Sequence, residues 1–496
     1  MRYVGTVASV PEIRIRTANG AGVRKDGEYV LYWMTAQRRT HDNFALDRAI
    51  EHAKSLDRPL VVLEALRVGY RWASDRLHRF VIEGMRDNQE RFEKSPIAYY
   101  PYVEPEAGAG KGLLAALSDD AAVVVTDEYP CFFLPRMLEA AAARAPGRLE
   151  VVDGNGLLPL RATDRVFHRA VDFRRALQKT LPEHLGERPR ADPLRRLELR
   201  AAPKLAISSR WPAADLPKLL DGGIAELPLD HGVGAVSYAG GEKAALGRLR
   251  GFITNALARY GEEHHHPDAD ACSQLSPYLH FGHVSPHRVF DAVAREEGWS
   301  VEALGTRRAG QREGFWGMSK SSEAFLDELV TWRELSANFT HRVKDYDRYA
   351  TLPEWSRKTL EKHAKDEREY VVSAERLEAA DTDDEIWNAA QRELVSEGRI
   401  QGYLRMLWGK KVLQWSKTPA QALETLIHLN NKYAVDGRDP SSYSGIFWCF
   451  GRFDRPWGPE RPIFGTVRYM TSDSTRRKLH LSRYLERWGS GQGSLF

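Results

Sequence analysis

The chain has 496 residues, 42% of them hydrophobic and 28% charged, and 72 basic against 68 acidic side chains leave a net charge of +4. That length supports roughly two to three domains with sizeable cores, and the ordinary, evenly spread hydrophobicity excludes disordered and fibrous chains. No apolar run approaches the roughly 18 residues of a membrane span, no signal-peptide pattern follows Met1, and three distant cysteines (Cys131, Cys272, Cys449) form neither a disulfide framework nor a metal-ligand spacing. The expectation is a soluble, intracellular protein, mildly basic and so compatible with nucleic acid.

Residues 1–25 are polar and Arg-rich and read as a flexible arm. Strand-like runs follow at 29–34 (YVLYWM), 59–63, 97–103, 122–126 and 149–152, separated by helical patterns at 43–55, 74–92 and 134–145. Short apolar strands alternating with amphipathic helices predict a doubly wound α/β domain with a parallel sheet over residues 26–180. Residues 181–205, rich in Pro and charge, read as a linker. Beyond them, over 206–496, helical periodicity dominates, most clearly at 242–260, 277–297, 322–338, 386–415 and 418–432, predicting a larger all-α domain. Thr418-Pro419 suits the N-cap and N1 positions of the last of these. The stretch 443–470, with Gly, Pro and aromatics at irregular spacing, reads as loops with one hairpin.

Most isolated motifs are weak. Gly108-Ala-Gly110-Lys111-Gly112 lacks the full phosphate-loop pattern, Gly154-Asn155-Gly156 completes no dinucleotide fingerprint, and His264-His265-His266 has no further ligand at metal spacing, so turns and a solvated loop are expected and no metal. Ser273-Gln274-Leu275-Ser276-Pro277 places hydroxyls and backbone N–H groups at a helix start, with Ser276 as cap and Pro277 at N1, an arrangement able to bind an anion. Glu328 and Trp332 are four apart on a predicted helix and share a face. Nine of the 13 tryptophans lie beyond residue 300. Trp408 and Trp415 are about two turns apart, Trp387 opens the same helical region, and Asp436-Gly437-Arg438-Asp439-Pro440 follows Asn430-Asn431.

Taken in order, Ser-x-Leu-Ser-Pro-Tyr, Glu-x-x-x-Trp-Arg-Glu, Gly-Tyr-Leu-Arg-Met and Asp-Gly-Arg-Asp-Pro resemble the photolyase/cryptochrome family. Tyr32-Trp33-Met34 and His41-Asp42-Asn43 resemble its first strand and following turn. Asp436–Pro440, Trp408-Gly-Lys-Lys-Val-Leu-Gln-Trp415 and Asp454-Arg455-Pro456-Trp457 point further, to the class II cyclobutane pyrimidine dimer photolyases. The resemblance covers nearly the whole chain. It implies an α/β domain joined to a helical domain that holds FAD, active in its reduced form.

By that resemblance, Tyr260, Cys272, Ser273, Gln274, Leu275 and Ser276 contact FAD, Cys272 standing where class I enzymes commonly carry a hydroxyl. Arg405 pairs with Asp436 beside the flavin, Asn430 faces its N5, and Gly437 and Arg438 complete the motif, Arg438 replacing the second Asp of class I. Glu328 hydrogen-bonds the dimer, Trp332, Trp448 and Met406 line its pocket, and Arg455 contacts DNA. Trp387, Trp408 and Trp415 relay electrons in an order the sequence leaves open, while Trp316, Trp355, Trp457 and Trp488 are assigned to the core. The implied activity is light-driven splitting of a flipped-out pyrimidine dimer in double- or single-stranded UV-damaged DNA, by a monomer with no membrane partner; the alternative is a cryptochrome-like photoreceptor, which the short ending at Phe496 disfavours. An antenna chromophore of unassigned identity is allowed, and His280, His283 and His287 keep repair of (6-4) photoproducts open.

Overall fold

Six strands form one sheet in order β1-β6-β5-β2-β3-β4, where β1 is Ile15–Thr17, β2 Tyr29–Met34, β3 Leu60–Leu66, β4 Ala98–Val103, β5 Ala121–Glu128 and β6 Arg148–Asp153. The computed structural model describes residues 9–203 and 205–489. Strands β2 to β6 are parallel and β1 pairs antiparallel with β6, so the sheet is doubly wound with one antiparallel edge. Every residue of β2 is buried because the pleat sends alternate side chains to two covered faces. Val30, Tyr32 and Met34 enter one core with Phe44, Leu46 and Ile50, while Leu31 and Trp33 enter the other with Val61 and Leu63.

Residues 12–17 depart from the expected arm. Pro11 precedes a 3-10 turn, Glu12–Arg14, that leads directly into β1. Arg14 is fully buried, its guanidinium donating to the carbonyls of Gly156 at 3.2 Å and Leu157 at 2.7 Å. An arginine so placed looks like a solvent residue in sequence; the paired carbonyls, together with Glu187 at 3.5 Å and the Phe44 ring 4.7 Å from its guanidinium, account for its burial. Residues 1–8 of the arm, Lys204 and the terminal 490–496 lie outside the described residues.

Two compact units share the chain: Met1–Asp164, Thr180–Arg250 and Leu275–Val301 form the first, and Arg165–Lys179, Gly251–Gln274 and Glu302–Phe496 the second. In the first, the chain leaving β2 is held by Asp127, whose Oδ2 accepts from the N–H groups of Thr35, Ala36 and Gln37 at 2.7–2.9 Å. Asn43 then caps the helix Phe44–Leu56 by accepting from Leu46 N–H. Gly108 and Gly110 donate their N–H groups to Glu104 Oε1 at 2.9 and 3.1 Å, so the weak phosphate-like loop is a turn closed by the protein's own carboxylate.

The second unit is helical, and its helices are shorter than periodicity suggested. The run 386–415 divides into Glu385–Glu397 and Gly402–Trp415, because Gly398 takes a left-handed φ of 63° as C-cap and Gln401 caps the next helix by accepting from Tyr403 and Leu404. Thr418 caps Pro419–Tyr433 as expected, accepting from Gln421 N–H. In the stretch read as loops, Pro440–Cys449 is helical: Asp439 accepts from Ser441 N–H and Pro440 supplies a helical φ at the first turn. The expected hairpin reduces to a single antiparallel bridge between Arg461 and Gly465. In the first unit, 277–297 is likewise two helices, Ser276–His280 and Pro286–Glu296. Among the described residues no helix is long and apolar enough to cross a membrane.

Candidate active site

Glu328 and Trp332 lie in a π-helical segment, Asp327–Trp332, inserted between the α-helices Lys320–Leu326 and Arg333–Arg342. The sequence implied an ordinary α-helix; instead the Arg333 N–H reaches the Glu328 carbonyl five residues back. The wider turn holds one residue more than an α turn, so residues four apart still lie close to one face, and such turns occur frequently at functional sites.

Glu328 is exposed as a residue, yet protein atoms surround its carboxyl densely enough to raise its pKa to about 7, desolvation being the main cause. The neighbouring Asp327 raises the value further, whereas Arg312 and Arg174 lower it. The Tyr260 hydroxyl shares this environment: burial and then the charge of Glu328 push its pKa well above the usual phenol.

Trp332 stacks on Trp448, ring centroids 4.5 Å apart at 21°. The two rings are thus in face-to-face contact, with no gap between them. Their helices are fastened by Phe339 against Phe447, 5.8 Å between centroids, and by Arg452, whose buried guanidinium lies 4.1 Å from the Phe339 ring centroid. Burial lowers the Arg452 pKa to about 10. Met406 is half-buried one residue from Arg405. Lys410, on the same helix, is buried and donates to the Cys449 carbonyl at 2.6 Å, tying Gly402–Trp415 to the end of the helix that carries Trp448. Neither Arg452 nor Lys410 stands out in sequence, where both read as surface cations.

Arg405 meets Asp436 at 3.4 Å, with side chains 24% and 9% exposed. Asn430 is buried and donates to Asn431 Oδ1 at 3.2 Å. Arg438, with φ 65°, donates its N–H to Asn431 Oδ1 and its guanidinium to the carbonyls of Asn431 and Val435 at 2.6 and 3.2 Å, closing the end of the helix Pro419–Tyr433. Gly437 is required here by space: a Cβ would lie 2.7 Å from the Asn430 carbonyl oxygen and 2.9 Å from that of Ala434. Gly437→Ala is therefore expected to cost about 1–3 kcal/mol, read as a lowered melting temperature together with weakened retention of any ligand held by Asp436.

The expected anion window falls on the boundary of the two units. Cys272, Ser273 and Gln274 belong to the second, Leu275 and Ser276 to the first. Cys272 Sγ donates to the His264 carbonyl at 3.3 Å, and Gln274, at φ 55°, is bonded by Arg399. Ser276 is not the cap: the five-residue helix Ser276–His280 has Leu275 there, with no side-chain bond, and Pro277 follows Ser276 within the first turn. Tyr260 stacks on His264 at 4.4 Å and 8°. Among the described residues no group of three or more His, Cys, Asp or Glu side chains could hold a metal ion.

The three tryptophans expected to form a relay are all buried. Trp387 donates Nε1–H to the Trp408 carbonyl at 3.0 Å and meets the Trp415 ring edge-on at 5.6 Å and 72°. Trp408 donates to Gln391 Oε1 at 2.9 Å. Tyr370, half-buried and missed in sequence, stacks on Trp415 at 5.6 Å and 28°. Of the tryptophans assigned to the core, Trp316 is buried, Trp355 and Trp488 are half-buried, and Trp457 is 36% exposed. Two guanidiniums lie against the Trp457 ring, Arg455 at 4.4 Å and Arg468 at 5.1 Å from its centroid, and with its exposure this makes it a surface residue and not core.

The histidines that kept a (6-4) chemistry open lie in the first unit, His283 and His287 within its packing. His283 stacks on Phe80 at 5.2 Å, His287 meets Phe44 at 5.4 Å, and His280 bonds Tyr129. Burial pushes His283 down to about 3 and His287 well below the ordinary imidazole, so neither is poised to exchange protons. A second aromatic cluster does stand at the carboxyl ends of β3 and β5: half-exposed Tyr70, Trp72, Phe132 and Phe133, with Trp72 and Phe132 at φ 72° and 61° and their rings 6.0 Å apart at 28°. Bulky residues rarely adopt that backbone, and where they do the site is frequently functional.

No family model matches the chain. It is 35% identical to the deoxyribodipyrimidine photo-lyase of Methanothermobacter thermautotrophicus over 476 residues, covering 96% of this chain and 97% of that one. The enzymes of the same name from Arabidopsis thaliana and Potorous tridactylus are 33% and 31% identical, over 92% of this chain and 88% and 80% of theirs. Among solved structures, a bacterial class III photolyase from Agrobacterium tumefaciens matches with a TM-score of 0.63 at 17% identity, covering 93% of this chain and 86% of that one. A Synechocystis cryptochrome matches with a TM-score of 0.63 at 16% identity, covering 93% and 88%. The structures establish the fold, and near-full-length identity above 30% with several curated enzymes establishes more: the chain belongs to the deoxyribodipyrimidine photo-lyase family.

Proposed function

We propose that this enzyme is a class II cyclobutane pyrimidine dimer photolyase that holds reduced FAD and repairs UV-damaged DNA in light. The observation that carries the reading is a carboxyl with a pKa near 7 beside a stacked tryptophan pair, in the unit that also pairs Arg405 with Asp436. The donor set suits a flavin: a guanidinium fixed by a carboxylate and still partly open, with a buried amide, Asn430, on the adjoining helix. Bound and reduced, FAD would supply the light-excited electron donor.

The residues then divide the work. Arg405 holds a fixed positive charge that favours an anionic ring, and Asn430, Asp436, Gly437 and Arg438 keep that corner rigid. Tyr260 and the window Cys272–Ser276 hold the remainder of the cofactor. A dimer in duplex DNA must be flipped out to be reached, and photolyases are a standard case of base flipping. Trp332 and Trp448 offer it a stacking face, and Met406 an adaptable thioether contact. Glu328, carrying its proton, donates a hydrogen bond to a pyrimidine carbonyl as negative charge gathers there and the two interbase bonds open. Arg455 and the exposed Trp457 face the DNA. In the first unit, the cluster Tyr70, Trp72, Phe132 and Phe133 is a stacking surface for a planar antenna, at the strand ends where doubly wound sheets bind ligands.

The test is direct. Purified protein is expected to show flavin absorption, and under reducing conditions to remove dimers from irradiated DNA in light but not in darkness. Protein without flavin, or dimers that persist equally in both, refutes the proposal; flavin binding with no repair points to the photoreceptor alternative.

A further inference from the structure

A nearly buried ion pair adjoins Glu328, and both of its charges act on that carboxyl. Arg174, on the helix that begins at Ala170, donates Nε–H to Asp327 Oδ1 at 2.7 Å and a terminal N–H to Oδ2 at 2.8 Å. The side chains are 5% and 13% exposed, and the two parallel bonds make the fork geometry that fixes both groups in place. Asp327 is the first residue of the π turn and the immediate neighbour of Glu328. The charged and titratable groups that face Glu328 are Asp327, Arg174, Arg312 and the Tyr260 hydroxyl. Arg312 is exposed at the surface, so the confined, fixed charges are those of the pair.

Ion pairs this confined are costly to desolvate and are often no more stabilising than apolar residues of the same volume. Stability alone thus gives little reason for one here, whereas a neighbouring carboxyl that must carry a proton gives a specific one. We propose that Arg174 and Asp327 are positioning residues that set the protonation of Glu328, Asp327 by a fixed negative charge that favours the protonated carboxyl and Arg174 by holding and tempering that charge. The proposal rests on the reading of Glu328 as hydrogen-bond donor to the lesion. It also explains the location of the pair: the fork anchors the start of the π turn and so the direction of the Glu328 side chain.

The experiment titrates Glu328 by infrared spectroscopy in the FAD-loaded protein without DNA, the carboxyl band being identified by its loss in Glu328→Gln. Asp327→Asn is expected to lower the midpoint, and Arg174→Gln to raise it, each by on the order of one pH unit as for a charge gained or lost a few ångströms away. The double variant returns toward the wild-type midpoint. The pH at which repair per absorbed photon declines is expected to move in the same order. Unmoved midpoints, or shifts in one direction in all three variants, overturn the proposal and leave the pair a structural clamp. Should Arg174→Gln not fold, the near-isosteric Asp327→Asn decides by itself. If Glu328→Gln repairs as well as wild type at every pH, it is the role of Glu328 that fails, and the infrared midpoints still judge the pair.

Discussion

Glu328→Ala is expected to lower dimer splitting per absorbed photon by about tenfold or more while flavin absorption is retained, since hydrogen bonds to charged groups contribute about 1.5–3 kcal/mol. The measurement is repair yield on dimer-containing DNA with the chemically reduced enzyme, against flavin content. Glu328→Gln keeps an N–H donor and should fall between alanine and wild type, with a flat pH response. In wild type, repair should decline as pH rises through about 7, because the donating proton is lost there. Stability has a definite sign too. The folded carboxyl titrates near 7 against an ordinary 4.5, so its favourable contribution is complete below about 4.5 and is lost as pH rises through 7. Glu328→Gln should therefore gain thermal stability relative to wild type at about pH 8 compared with about pH 5. Loss of flavin from Glu328→Ala would show that the residue supports the cofactor instead.

Trp387→Phe is expected to slow light-driven reduction of the oxidised, bound flavin by an order of magnitude or more, while repair by chemically reduced enzyme is unchanged. Trp387 joins the other two members, by a hydrogen bond to the Trp408 carbonyl and ring contact with Trp415. Trp408 shares a helix with Arg405, the residue proposed to face the flavin, and Trp415 stacks on the half-buried Tyr370. Under that proposal the inward order is Trp415, Trp387, Trp408, and a central break should cost most. Flavin absorbance followed under blue light with an external reductant makes the comparison, with Trp408→Phe and Trp415→Phe alongside. Equal rates in wild type and Trp387→Phe would remove the residue from the path. Phenylalanine also forfeits the indole hydrogen bond, about 1 kcal/mol, so melting curves should accompany the kinetics.

Much of this was legible in the chain. The strands of the first unit are continuous apolar runs because both faces of a parallel sheet are covered, and residues 29–34 were readable to the residue. Helix starts with a capping side chain, such as Thr418, were equally visible. Where boundaries failed, a backbone event outweighed periodicity: Gly398 turning left-handed inside an apparently continuous helix, or Asp439-Pro440 starting one inside an aromatic loop. The π turn at Asp327–Trp332 has no sequence signature, since one extra residue in a turn leaves hydrophobic spacing nearly unaltered.

The sequence by itself picked out the candidate groups: an acid and a tryptophan four apart, an Arg and an Asp in ordered motifs, and three tryptophans near one another in the chain. Only the tertiary structure decided the surroundings of those groups. Glu328 is an ordinary carboxylate in sequence, and in the fold its pKa rises to about 7, because desolvation is a property of the atoms packed around it. Arg174 and Asp327 stand 153 positions apart and meet through two bonds. Trp332 and Trp448 come to stack on each other, and Trp457 leaves the core for the exterior, for the same reason. Local chemistry is written along the chain, whereas dielectric environment, charge pairing and ring stacking arise from contacts between distant segments.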